Sequence, residues 1–176
     1  KILCITDEKI DEVNLENKEL HSNKNNFYNY DKLLIATGSK NRKLDIDGLN
    51  SDDENVIYLR NIKESKSIKE KIRSVSNLVI IGGGFIGLEI ASSANQMKKN
   101  VTVLERTNQL MGRVIPKEIS QIIQNLHEEN GNKIHLNVNI KKIIKKGKLF
   151  EIILDPTNIV ETELIVVGVG SIPDTS

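Results

Sequence analysis

Short apolar runs separated by polar turns alternate along this chain with stretches whose apolar residues recur every three or four positions. Near the start, Ile10, Glu12 and Asn14 alternate with Asp11, Val13 and Leu15. That weak period of two predicts a strand, and Glu16-Asn17-Lys18 predicts the turn into a second one over Glu19–His21. Asn23–Asn26 reads as polar turn chain. Leu33-Leu34-Ile35-Ala36, closed by Thr37-Gly38-Ser39, is a compact run without polar alternation. Such a run predicts a strand buried on both faces. Lys40–Asp53 reads as a charged linker with Gly48 as its turn point. Over Asn61–Arg73, Ile62, Ile68 and Ile72 stand among Lys and Glu, the pattern of an amphipathic helix lying on a surface.

From Asn77 the two rhythms interleave more regularly. Leu78–Ile81 predicts a strand, Gly82–Gly87 a glycine turn, and Leu88–Lys99 a helix with Ile90, Ala91, Ala94 and Met97 on one face. Val101–Leu104 is the next strand. Pro116 suits the first turn of a further helix, with Ile119, Ile122, Ile123 and Leu126 as its apolar stripe and Gly131 as its stop. Segments at Ile134–Leu136, Asn139–Ile144, Leu149–Leu154 and Ile159–Glu161 return to β, with a hairpin turn at Lys145–Lys148. Leu164–Val167 is a last buried strand, ended by Gly168-Val169-Gly170. Strands alternating with helices predict a parallel α/β sheet, with an antiparallel meander appended before its final strand.

Composition narrows the partners. The 176 residues carry 25 Lys and Arg against 24 Asp and Glu, a net charge of +1. Both signs are spread along the chain, so no electrostatic argument for nucleic acid arises. No apolar run is long enough to span a bilayer. One cysteine allows no internal disulfide framework and no thiolate cluster, which favours a reducing, cytoplasmic setting. Cys4 itself reads as a small core residue. The three histidines lack metal-ligand spacing, so no metal is expected. The lysines over Lys141–Lys148 read as a solvated meander edge, with attraction of an acidic carrier protein as the weaker alternative.

The chemistry concentrates in Gly82-Gly83-Gly84-Phe85-Ile86-Gly87, a G-x-G-x-x-G run placed directly between a predicted strand and a predicted helix. Gly82 permits the tight turn, Gly84 lets a diphosphate reach the backbone, and Gly87 lets the helix pack close to the strand. The helix N-terminus adds unpaired N–H groups and a positive dipole end. Glu105 ends the second strand eighteen residues after Gly87. A carboxylate there accepts hydrogen bonds from ribose hydroxyls and repels a 2′-phosphate, which favours NADH over NADPH. Arg106 beside it pulls the other way, since a guanidinium attracts that phosphate.

Four segments together resemble a known family. Asp31–Ser39 (DKLLIATGS) is similar to the "YDxLhhATG" segment of two-dinucleotide-domain flavoprotein reductases, the pyridine nucleotide-disulfide oxidoreductase superfamily. Ile80–Ala91 (IIGGGFIGLEIA) resembles their NAD fingerprint. Leu110-Met111-Gly112-Arg113-Val114, then Pro116–Ser120 and Leu126-His127, resembles a stretch of the ferredoxin and rubredoxin reductase branch. Leu164–Pro173 (LIVVGVGSIP) is similar to a fourth motif, with Asp174 where Asn is usual. The resemblance covers essentially the whole chain, in family order and spacing. It implies an α/β fold: a Rossmann-like NAD-binding domain with an appended antiparallel β-meander, plus the edge of an FAD-binding domain of the same type. It also implies an internal fragment, divided at 1–59 (end of the first FAD-domain segment), 60–169 (NAD(H)-binding domain) and 170–176 (return into the FAD domain).

The same resemblance implies roles. Thr37 and Gly38 would touch FAD where the chain leaves its domain. Glu89, one turn into the fingerprint helix, corresponds to a Glu near the nicotinamide and flavin ring and is the candidate catalytic residue. Phe85 would cover the nicotinamide pocket, with Gly83 and Ile86 completing the cofactor turn. Arg113 would reach the adenosine ribose or a phosphate. Gly168 and Gly170 would let the last strand end close to the nicotinamide. The implied activity is hydride transfer from NADH to FAD and onward to a small iron–sulfur carrier such as a ferredoxin or rubredoxin. NADH oxidase, nitrite reductase, disulfide reductase and a low-turnover redox sensor like the apoptosis-inducing-factor relatives stay open as alternatives.

Overall fold

The computed structural model describes residues 2–175, which form two compact units, 2–37 and 38–175. In the first unit, β1 (Ile10–Asn14), β2 (Glu19–Ser22) and β3 (Phe27–Asn29) form an antiparallel meander in that order. The predicted hairpin at Glu16–Lys18 is present, and Lys18 takes the positive φ that closes it. Two other expectations for this unit fail. Leu33–Ala36 forms no strand, and Leu34 and Ile35 are 87% and 68% exposed. Cys4 is exposed rather than in a core. An apolar run becomes a buried strand only where neighbours pair its backbone and cover its faces, and among the described residues none does so here.

The second unit opens with β4 (Ser39–Asn41), β5 (Val56–Tyr58) and α1 (Ile62–Ser74). A capping box between Asn61 and Glu64 starts α1, and Ile68 and Ile72 are its buried residues, while Ile62 stays exposed. Next come β6 (Asn77–Ile81), α2 (Phe85–Gln96), β7 (Asn100–Leu104), α3 (Lys117–Glu129) and β8 (Lys133–His135). The antiparallel meander β9 (Lys142–Lys146), β10 (Leu149–Asp155) and β11 (Asn158–Thr162) follows. Then β12 (Leu164–Val167) and β13 (Ser171–Pro173) complete the unit.

Five of these strands make one parallel sheet, ordered β5-β12-β6-β7-β8. Alternate residues of each strand point to opposite faces, so the sheet has two cores. On one, Leu78, Ile80, Val101, Val103, Leu164 and Val166 pack against α1 and α2. On the other, Val79, Ile81, Leu104, Ile165 and Val167 pack against Ile143, Phe150, Ile152 and Leu154 of the meander. The expected parallel α/β sheet with its appended meander is therefore present. The edge strand Val56–Tyr58 joins this sheet, on the N-terminal side of the division expected at residue 59.

Two helix starts differ from expectation. Gly84 is the N-cap of α2, with φ −85° and ψ −177°, so the helix begins at Phe85 and Gly87 lies inside it. Pro116, with ψ 157°, is the N-cap of α3 rather than its first helical residue. The apolar stripe of α3 is mostly uncovered: Ile119, Ile122 and Leu126 are exposed, and Ser120 is the buried residue of that helix. Finally, β4 pairs antiparallel with β13, Ser39 opposite Pro173, and Lys40 bridges to Asp174 at 2.8 Å.

Candidate dinucleotide-binding site

The C-terminal ends of β6, β7 and β12 converge, and backbone hydrogen bonds lock them together. Gly82 N–H donates to the Leu104 carbonyl at 2.9 Å, and Gly168 N–H donates to the Ile81 carbonyl at 2.8 Å. In an open parallel sheet, ligands bind beyond these strand ends. Gly82 has φ +112°, and a Cβ built on it would lie 2.6 Å from the Gly168 carbonyl oxygen. A Cβ on Gly87 would lie 2.1 Å from the Gly82 carbonyl oxygen. Both positions therefore exclude side chains for packing reasons. Gly84 is different. A Cβ there meets nothing within 4 Å, and its backbone angles suit any residue. Its bareness serves no internal contact; it leaves an open approach to the backbone.

The N-terminus of α2 is correspondingly bare. Its N-cap makes no side-chain hydrogen bond and its first turn carries no acid, whereas α1 has both a capping side chain and Glu64. The first amides of α2 thus lack an internal side-chain acceptor and suit an anion.

Beside the turn stands Glu105, half-buried at the end of β7. Its Oε2 accepts from Gly83 N–H at 2.6 Å, and its Oε1 accepts from the Thr107 N–H and Oγ1–H, both at 2.8 Å. The carboxylate is held at both oxygens yet keeps lone pairs for outside donors, since an ionised carboxylate accepts about four hydrogen bonds. Such an acceptor suits hydrogen-bond donors.

The segment after Glu105 folds back on the glycines. Leu110 is fully buried, its Cδ2 only 2.5 Å from where a Gly83 Cβ would be, and Met111 N–H donates to the Gly83 carbonyl at 2.9 Å. Met111 takes φ +51° to do so. Ser120 of α3 donates its hydroxyl to the Leu110 carbonyl at 2.8 Å. Thr107, Leu110, Met111 and Ser120 were not singled out from sequence as site residues. Only the hydroxyl two residues after Glu105 was a usable local signal, because Ser and Thr readily close such short turns.

Of the residues proposed from sequence, the structure brings together Gly82, Gly83, Gly84, Gly87, Glu105 and Gly168. Phe85 and Glu89 lie on the first turns of α2, both exposed. Ile86 faces a shallow groove shared with Leu59 and Ile62. Arg113 and Arg106 are exposed on the loop after β7. Gly170, with φ +101°, accepts from Arg42 N–H at 3.1 Å, and Gly38, with φ +82°, accepts from Asp174 N–H at 3.0 Å; both belong to the β4–β13 ladder, not to the glycine turn. Thr37 closes the first unit. Of the lysines from 141 to 148, Lys142, Lys145 and Lys146 pair with Asp47, Asp53 and Glu151. Among the described residues no helix is long and apolar enough to cross a membrane.

Residues 2–176 match the pyridine nucleotide-disulphide oxidoreductase family. The chain belongs to that family. Similar members include a rubredoxin-NAD(+) reductase of Ectopseudomonas oleovorans, 32% identical over 163 residues, which covers 92% of this chain and 42% of the relative. A terpredoxin reductase of a Pseudomonas species is 33% identical, covering 97% of this chain and 41% of its own length. The crystal structure of the ferredoxin reductase for the CYP199A2 system of Rhodopseudomonas palustris superposes with a TM-score of 0.83 at 32% identity, over 95% of this chain and 41% of that one. The chain thus spans about two fifths of the length of these oxidoreductases.

Proposed function

We propose that this chain is the NAD-binding portion of an NADH-oxidising flavoprotein reductase that passes electrons to a small iron–sulfur carrier of the ferredoxin or rubredoxin type. The observation that carries the reading is Glu105, pinned at both oxygens beside a glycine turn whose Gly84 faces open space. The diphosphate lies against Gly84 and the first amides of α2, where N–H groups and the helix dipole favour negative charge. The adenosine ribose donates its two hydroxyls to Glu105, and the same carboxylate repels a 2′-phosphate, so NADH is preferred over NADPH. Arg113 reaches the ribose or a phosphate from the loop that Met111 ties to Gly83.

Phe85 and Glu89, exposed on the same helix, flank the nicotinamide, with Phe85 excluding water and Glu89 as the candidate catalytic group. Gly168 and Gly170 keep the end of β12 free of side chains on that path. Thr37 and Gly38 would contact the flavin, as the family resemblance implies. When bound, FAD supplies acceptance of a hydride and release of electrons one at a time, while these residues supply orientation and electrostatics. The names of the relatives, a rubredoxin-NAD(+) reductase and a terpredoxin reductase, support an acceptor of this kind.

One titration tests the reading. Gly84→Val is expected to leave urea stability within about 1 kcal/mol, because the side chain meets no neighbour, and to weaken NADH binding at least about tenfold. In the same assay Glu105→Ala should narrow the NADH-over-NADPH preference. Normal NADH affinity in Gly84→Val would put the diphosphate elsewhere.

A further inference from the structure

Gly83 is gripped from three sides. Its N–H is taken by Glu105, its carbonyl by Met111 N–H, and the space over its Cα by the Leu110 side chain. The peptide that leads into Gly84 therefore takes its orientation from the loop over residues 107–115. That loop holds an unfavourable element, the positive φ of Met111, which costs a side-chain-bearing residue energy and persists only where surroundings over-determine it. Several contacts from outside the glycine turn restrain the loop, among them the Asn137 N–H donated to the Thr107 carbonyl at 2.9 Å and two nearer Met111. Gln109 Nε2 donates to the Ile115 carbonyl at 3.3 Å, and Ser120 Oγ donates to the Leu110 carbonyl at 2.8 Å.

The second contact is unusual for a helical serine. A Ser inside a helix usually turns its hydroxyl to the solvent or to the carbonyl four residues back. In α3 the Pro116 carbonyl, four residues back, accepts the Ser120 backbone N–H, while the hydroxyl leaves the helix for a carbonyl ten residues upstream. Ser120 is 1% exposed, on a helix whose apolar stripe stands open to solvent. The hydroxyl is thus one inward anchor of α3, and the group it holds is the carbonyl between Leu110 and Met111.

Resting on the dinucleotide reading above, we propose that Ser120 is a positioning residue for the dinucleotide. It fixes the Leu110–Met111 peptide, and through it the Gly83 peptide and the Glu105 carboxylate, without touching the ligand. Removing the hydroxyl leaves a buried carbonyl unpaired, a larger perturbation than the loss of one exposed hydrogen bond. The loop then relaxes at Met111, its strained residue, and both Gly83 contacts loosen together.

The experiment compares Ser120→Ala with Ile123→Val, a trimming on the same helix that leaves the Leu110 carbonyl bonded. In the full chain, NAD⁺ alone is titrated by calorimetry, and amide hydrogen exchange is read at Gly83, Met111 and, as a distant reference, Val103. Ser120→Ala is expected to raise the Kd about five- to twentyfold and to speed exchange at Gly83 and Met111 but not at Val103. Ile123→Val is expected to lower the melting temperature without moving the Kd. An unchanged Kd in Ser120→Ala, or equal Kd changes in the two variants, overturns the proposal. If the unaltered chain does not bind NAD⁺, the dinucleotide reading fails and the positioning role fails with it. Should Ser120→Ala not fold, Ser120→Cys, close in size with a weak donor, replaces it under the same criteria.

Discussion

Helices α2 and α3 follow successive strands of the same sheet, yet they are attached to it by different means. Five residues of α2 are buried, and three of them are small: Gly87, Ala91 and Ala94. The helix approaches so closely that a Cβ at Gly87 would fall inside the Gly82 carbonyl oxygen. Its first turn is therefore set directly against the strand ends where a diphosphate would lie. In α3 the segregation of apolar and polar residues is sharper, but its apolar stripe is exposed, with Ile122 at 63% and Leu126 at 57%. The fully buried residue of this helix is Ser120, whose hydroxyl faces inward, while Ile123 is half-buried. Close approach demands small residues, and large apolar residues at helical spacing do not by themselves say which side meets the sheet.

Three measurements bear on this contrast. Gly87→Val should have the largest effect, a loss of more than about 3 kcal/mol or of cooperative unfolding altogether, because backbone rather than a flexible side chain stands in the way. If urea denaturation shows a loss under about 1 kcal/mol, close approach is not what holds α2. Ile90→Ser in α2 should cost about 3 kcal/mol, whereas Ile122→Ser in α3 should stay within about 0.5 kcal/mol. A comparable cost at both would mean that the α3 stripe is covered in solution, which would erase the contrast.

The smallest effect is a pH dependence carried by α3. Burial pushes the His127 imidazole below its ordinary range, and Asn132 Nδ2 donates to its Nδ1, an acceptor only while unprotonated. The unfolded chain binds the proton first as pH falls through about 6.5. Stability should thus decline on acidification below that point, and the decline should level off once the folded ring is protonated too. His127→Gln should flatten this part of the urea midpoint against pH curve.

The glycine turn and Glu105 were legible from sequence because everything they need is local: a strand, three glycines, a helix and an acid in fixed order. Two other features were not. Leu33–Ala36 and Leu164–Val167 read alike as short apolar runs closed by glycine, yet the second lies between β5 and β6 while the first is unpaired. Burial depends on neighbours, which a run does not encode. The bond from Ser120 to Leu110 was likewise hidden, since nothing in a helical period says that one hydroxyl will reach a carbonyl in the preceding loop. The family resemblance pointed to both segments as a motif but not to the bond between them.

The β4–β13 ladder has a topological consequence. Because Ser39 lies opposite Pro173, everything between them enters and leaves through one doorway about 4.8 Å wide, the spacing of paired strands. The intervening sheet, helices and meander form a cassette. Such a cassette can be gained, lost or exchanged at a single junction, and it can drift in sequence or gain loops without shifting either end of the chain that carries it.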